Sequence, residues 1–174
     1  MPLVPTQYGR RAFTLIELLV VIVVLLIAAA VVIPNIGTTA DSQSISAART
    51  LAAHLELTRN LALTTQMPHS VVFSTDNQSY KVVANYAGQS YSTVVAVAHP
   101  AEPGRRLEAT LAALNGMSGV QVVAVSFGGN AYVTFDSAGE PSAAGTVTLR
   151  AGQIQMQISV AALTGMVSVT RTAG

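Results

Sequence analysis

From Phe13 to Ile33 the chain is apolar except at Thr14 and Glu17. A helix of that length spans roughly 31 Å, and the hydrocarbon core of a bilayer is about 30 Å thick, so the segment is expected to cross a membrane. Arg10 and Arg11 precede it. Basic residues are retained on the cytoplasmic side, which sends everything after about Pro34 outward. Glu17 is the odd residue, because a carboxylate near the start of a membrane helix costs on the order of 3 kcal/mol. It makes sense if assembly supplies a positive partner. A free amino group at Phe13, on the same chain or a neighbour, would be such a partner and requires cleavage between Ala12 and Phe13. Two other readings compete. Arg10-Arg11 could belong to a twin-arginine export signal cleaved near Ala28-Ala29-Ala30, although the apolar run is longer than such signals usually carry. The run could also be a plain anchor. Both leave Glu17 unexplained.

Composition bounds the rest. The 174 residues suffice for one ordinary domain plus an extra segment. With 51% hydrophobic and 10% charged residues, the chain is too apolar to be disordered. A formal net charge of +1 creates no general field that would recruit nucleic acid. The chain has no Cys, hence no disulfide framework and no thiolate metal site.

The run Arg10-Arg11-Ala12-Phe13-Thr14-Leu15-Ile16-Glu17-Leu18-Leu19-Val20-Val21 resembles the prepilin peptidase signal of type IV pilins and type II secretion pseudopilins. In that family a short basic leader is removed just before a Phe, the new N-terminal Phe is methylated, and the fifth mature residue is Glu. Counted from Phe13, Glu17 is fifth and Pro34 twenty-second, both as in the family. The sequence departs from the pattern at Ala12, where Gly is usual; Ala is also small, and processing is expected to survive. The resemblance implies a prepilin peptidase and methyltransferase as partners, together with other pilins or pseudopilins and the inner membrane.

Pro34 lacks a backbone donor and clashes with the preceding turn, so a kink is expected there. From Asp41 to Gln66 the pattern becomes amphipathic, with Ile45, Ala48, Leu51, Ala52, Leu55 and Ala62 at helical spacing and Arg49, Glu56, Arg59 and Asn60 mostly elsewhere. Asp41 or Ser42 could cap this half. Pro68 stops the helix by Met67. After Pro68 the period changes to two. Ser70–Ser74 and Tyr80–Ala84 flank a hairpin turn at residues 75–78. Tyr91–Ala98 reads as a further strand, and residues 105–115 as a short helix or loop. Val120–Phe127 and Tyr132–Asp136 are strand-like around Gly128-Gly129-Asn130. Thr146–Ala151 and Ile154–Val160 pair around Gly152-Gln153, and Ile154, Met156, Ile158 and Val160 alternate with polar residues as in a strand buried on one face. Met166–Thr170 is the last strand. The expected fold is α+β: a long N-terminal helix, transmembrane in its first half and kinked near Pro34, packed on an antiparallel β domain. The expected organisation is a leader at 1–12, an assembly helix at 13–34, an amphipathic half at 35–67 and a periplasmic domain at 68–174. Residues 133–149, 158–160 and 164–169, with Leu57–Ala62, look like the domain of H-type minor pseudopilins and T-type fimbrial pilins. The stretch 88–119 matches nothing comparable.

A search for reaction chemistry ends empty. His54, His69 and His99 lack metal-ligand spacing, and His69 and His99 adjoin prolines in expected loops. The carboxylates Asp76, Glu102, Glu108, Asp136 and Glu140 fall in loops or strand ends. No phosphate loop or hydrolase elbow is present. Some T-type pilins bind DNA through arginines just after the Thr-Gly; here that position is Met166, and only Arg150 and Arg171 are near, too few cations for phosphate affinity. Arg105-Arg106 reads as a solvated loop. The expectation is therefore a subunit that is not an enzyme, with no cofactor, no metal and no nucleic acid partner. Its role would be that of a minor pseudopilin of type II secretion, single-pass in the inner membrane with its domain in the periplasm. The alternatives are a minor type IV pilin for adhesion, motility or DNA uptake, or an exported periplasmic binding domain.

Overall fold

The computed structural model describes residues 14–32, 39–111 and 119–173. The chain divides into two units, Met1–Gly37 and Thr38–Gly174. The first contains helix α1 (Leu15–Val32), 18 residues long, which is about 27 Å at the helical rise. Among the described residues no helix is long and apolar enough to cross a membrane; the side chains described in α1 end at Ala28, inside the longer apolar run. The expected kink at Pro34 and the cleavage at Ala12–Phe13 lie outside the described residues.

The second unit begins with α2 (Thr39–Thr65). Ala48, Leu51, Leu55 and Ala62 are completely buried and Ala52 nearly so, so the stripe read from spacing is the one that packs. Ala47, Ser44 and Thr58 join it; the Ser44 and Thr58 hydroxyls are satisfied by donating to the carbonyls of Asp41 and His54, 2.8 and 2.6 Å away. The helix starts before Asp41, which sits in its first turn and complements the positive end of the helix dipole. Gln66, with φ 55°, provides the left-handed residue after the last turn.

Eight strands follow: β1 (His69–Phe73), β2 (Ser79–Ala84), β3 (Glu108–Thr110), β4 (Gln121–Phe127), β5 (Tyr132–Phe135), β6 (Gly145–Ala151), β7 (Ile154–Val160) and β8 (Val167–Ala173). They form two four-stranded antiparallel sheets, β3-β2-β1-β5 and β4-β6-β7-β8. The β1–β2 and β6–β7 hairpins and the final strand agree with the reading from periodicity. In β7 the four alternating apolar residues are all buried. Helix α2 packs against strands of both sheets, and one apolar core joins Leu51 and Leu55 to Val71, Tyr80, Phe127, Phe135, Leu149 and Ile158.

Three expectations are corrected. Tyr91–Ala98 is not a strand, despite buried Val94 and Ala96 alternating with exposed Val95. Ladder-like backbone bonds form only at its end, where Val97 N donates to Val82 O and Val97 O accepts from Leu107 N, both at 2.8 Å; the earlier carbonyls go to cations, Lys81 Nζ donating to the Tyr91 and Val94 oxygens at 3.1 and 3.2 Å and Arg106 Nη1 to Ala96 O at 2.7 Å. The uncertain stretch after Arg105 contributes strand β3 at the edge of the first sheet. His69 is not in a loop but opens β1, 4% exposed, with its ring Nδ1 2.9 Å from Met67 O. In addition, the strands around Gly128-Gly129-Asn130 belong to different sheets. The turn closes on reciprocal Phe127–Asn130 backbone bonds and hands the chain from one sheet to the other.

Candidate functional site

Two places in the molecule carry the residues that the sequence marks out. The first is the start of α1. Thr14 caps the helix: its Oγ1 accepts from Glu17 N at 3.3 Å, while its carbonyl accepts from Glu17 N at 3.1 Å and Leu18 N at 3.2 Å. Thr14-Leu15-Ile16-Glu17 has the spacing of a capping box, in which the acidic residue sits in the first turn near the positive end of the helix dipole. The sequence reading treated Glu17 only as a membrane charge and missed the Thr14 cap. Every described side chain from Thr14 to Ala28 is exposed. Leu15, Ile16 and Leu18, which point in three different directions, are 83%, 66% and 61% exposed, so the apolar surface runs right round the helix. A helix apolar on all sides must be covered by lipid or by other helices.

The second place is Arg59 on α2. Its Nε donates to Gly139 O at 3.1 Å. Gly139 ends a tight loop in which Asp136 Oδ1 accepts from Ala138 N at 2.9 Å and Glu140 N at 2.8 Å. Gly165, at φ +62°, presses against the same point: a Cβ there would lie 2.6 Å from Gly139 O. Parts of three of the pieces that resemble pilin domains, within 57–62, 133–149 and 164–169, therefore meet at one arginine. A cleft of about 210 Å³ opens beside it, lined by Glu56, Asn60, Met166 and Val167 among others. Leu163 and Met166, 75% and 65% exposed, stand at this turn.

The histidines do not converge on a metal. Among the described residues no group of His, Asp and Glu could hold one. His54 Nδ1 lies 2.6 Å from the hydroxyl of fully buried Tyr80. Burial, and then the neighbouring His99, lowers the His54 pKa, and burial raises that of Tyr80. The pair is a satisfied polar contact between helix and sheet. Arg150 lies in one row with Gln155 and Thr172, whereas Arg171 lies in a row with Met156 and Leu149. Adjacent rows point to opposite faces of a sheet, so the two arginines do not form one phosphate patch.

Comparison with known proteins then places these features. The family model described as "Type II transport protein GspH" matches residues 47–164, and the prokaryotic N-terminal methylation motif matches residues 8–33. A search of curated proteins returned no match. Two structures of the minor pseudopilin EpsH from the type II secretion system of Vibrio cholerae superpose with TM-score 0.55. One is 13% identical and covers 74% of this chain and 96% of that one. The other is 15% identical and covers 79% and 98%. At such identity the likeness speaks for the fold alone.

Proposed function

Because the chain belongs to the GspH family of type II transport proteins, we propose that it is a minor pseudopilin: a membrane-anchored subunit that is trimmed at its N-terminus and built into a periplasmic filament serving protein export. The observation that carries this reading is the joining, on one chain, of a methylation motif over residues 8–33 to a GspH domain over 47–164. The exposed apolar surface of α1 supports it, since the helix needs either bilayer or neighbouring subunits around it.

In this reading the prepilin peptidase cleaves between Ala12 and Phe13, and Phe13 becomes the methylated N-terminus. The segment 13–34 is inserted in the inner membrane before assembly and lies in the filament core afterwards, with a bend at Pro34. The Glu17 carboxylate faces the amino group of a neighbouring Phe13 and sets the axial register between subunits. Arg10 and Arg11 keep the leader cytoplasmic, so the domain from Thr38 onward is periplasmic. The role is structural. The covalent chemistry is done to the protein rather than by it.

The test is the intact mass and N-terminal sequence of the protein recovered from native membranes. An N-methylated Phe13 start is expected. A start near Val31 would make the chain an exported domain, and a retained Met1 a simple anchored one; either result overturns the filament reading.

A further inference from the structure

The two sheets have four outer strands, and three of them are closed to further pairing. Strand β3 is three residues long. Along β5, Ser142 N donates to Thr134 O at 2.7 Å, Ser142 Oγ accepts from Thr134 N at 3.2 Å and Pro141 bridges Phe135, so residues 141–142 occupy that edge. Strand β4 is interrupted by a register shift between Val122 and Ala124. Short strands, cover and bulges are the devices by which folded proteins keep sheet edges from pairing with other chains. Strand β8 has none of them. It keeps seven consecutive pairs with β7 in one register, contains no Pro and carries a single charge, Arg171.

The ladder decides which backbone groups this edge offers. Ala161 N donates to Met166 O at 2.9 Å, so 161 and 166 form a hydrogen-bonded pair at the head of the β7–β8 hairpin. In an antiparallel ladder bonded and non-bonded pairs alternate. Ser168, Thr170 and Thr172 therefore bond β7, while the N–H and C=O groups of Val167, Val169 and Arg171 point away from it. Among the described residues no other element takes them. The side chains mark the same edge. Val167 and Val169 pack against the core without being fully buried. Leu163 and Met166, just before the strand, are the two most exposed large apolar side chains described in this unit. Arg171 is exposed, and the ion pairs among the described residues involve only His99, Glu102 and Arg105, so it meets no carboxylate of its own chain.

A row of outward donors and acceptors is matched by the backbone of an extended segment, which adds to the sheet as a further strand. The strand that fits β8 is apolar beside Val167 and Val169 and carries a carboxylate beside Arg171. Strand β8 has no acidic residue, so a second copy of it does not supply that match. One added strand is a small contact, and its partner must be held close. Packing of α1 among the helices of other subunits holds their domains in this way. We propose that β8 receives an edge strand from a different subunit of the same filament, which extends the second sheet across the subunit boundary. The proposal rests on the filament reading given above. Because the partner is a different protein, one copy of this chain per contact suffices, as a minor subunit requires.

The test is photocrosslinking of the full-length chain in cells that express the companion subunits. Thr170→p-benzoylphenylalanine places the probe on β8, and Ala101→p-benzoylphenylalanine, on an exposed turn outside the sheet, is the control. Mass spectrometry is expected to identify the β8 adduct as another pilin-like subunit, at about ten times the control yield. Arg171→Pro removes one outward donor and none of the bonds to β7, and Arg171→Glu reverses the charge. Each should cut the adduct about tenfold, whereas Arg171→Lys should keep most of it. Should Arg171→Pro fail to fold, Arg171→Glu decides. An adduct with a second copy or with an exported protein, a yield no higher than the control, or an undiminished yield in Arg171→Glu overturns the proposal. The N-terminus of the same sample keeps the two readings apart: a methylated Phe13 without the adduct sinks the strand contact alone, and a retained Met1 sinks the filament reading.

Discussion

The junction at Arg59 can be tested by adding a single carbon. In Gly165→Ala the new Cβ lies 2.6 Å from Gly139 O and 3.1 Å from Arg59 Cδ. Two costs combine. Holding Ala at φ +62° costs about 1–2 kcal/mol. The clash is with a backbone carbonyl, which cannot swing away as a side-chain tip can. Moving it disturbs the hydrogen bond from the Arg59 guanidinium, and bonds to charged groups contribute about 1.5–3 kcal/mol. Gly129→Ala separates the two costs, because Gly129 also has a positive φ, +88°, but nothing lies within 4 Å of its added Cβ. The expectation is a loss of about 3–4 kcal/mol for Gly165→Ala and about 1–2 kcal/mol for Gly129→Ala. The assay is reversible urea unfolding in detergent followed by near-ultraviolet circular dichroism of the tyrosines; a gap of about 2 kcal/mol corresponds to roughly 4–8 °C in Tm at this size. Equal losses for the two variants would refute the idea that Arg59, Gly139 and Gly165 form one close-packed junction.

Further outcomes separate the roles assigned above. Glu17→Gln keeps a side chain able to serve a capping box but removes the charge; it should be processed normally yet enter filaments poorly, whereas Thr14→Ala, which loses about 1 kcal/mol of capping, should still assemble. Efficient incorporation of Glu17→Gln in a shear-fraction assay would refute the charge-pairing role of Glu17. For His54, the folded pKa lies below that of the unfolded chain, so below about pH 6.5 the unfolded state takes up a proton that the folded state resists. Stability should therefore fall as pH drops through that value and level off once the folded ring is also protonated. His54→Gln should flatten that step in urea midpoints compared between pH 7.5 and 5, and an unchanged step would point to another group.

What could be read in the sequence, and what could not, follows from where each signal lies. Local period carried α2, the β1–β2 hairpin and the β6–β7 hairpin, because there the apolar spacing and the turn residues agree. The stretch around Val94 and Ala96 has the same alternation but joins the sheet's backbone bonding at Val97 alone, while Lys81 and Arg106 take the Tyr91, Val94 and Ala96 carbonyls; a bond from a distant side chain leaves no trace in local spacing. The two strands around Gly128-Gly129-Asn130 were legible, but not that the turn passes between sheets, which is decided by strands far away, β1 on one side and β6 on the other. The Thr14 cap was available in the spacing of Thr14-Leu15-Ile16-Glu17. The gathering of parts of 57–62, 133–149 and 164–169 at Arg59 was visible as three fragments with no indication that they touch.

The way α2 is covered also decides when the domain can finish folding. Its stripe lies against β1 and β5 but also against β6, β7 and β8, the last elements of the chain. His69 waits for Phe135 before β1 gains its second neighbour, and contacts so distant in sequence form late. A domain released from its α2 end first would make the β1–β2 hairpin early and leave Leu51 and Leu55 facing water until the final strands had appeared. During that interval the helix is a sticky surface that a chaperone would recognise. A chain stopped short of β8 would prolong it, and should be recovered in aggregates or as protease fragments instead of as a smaller folded domain.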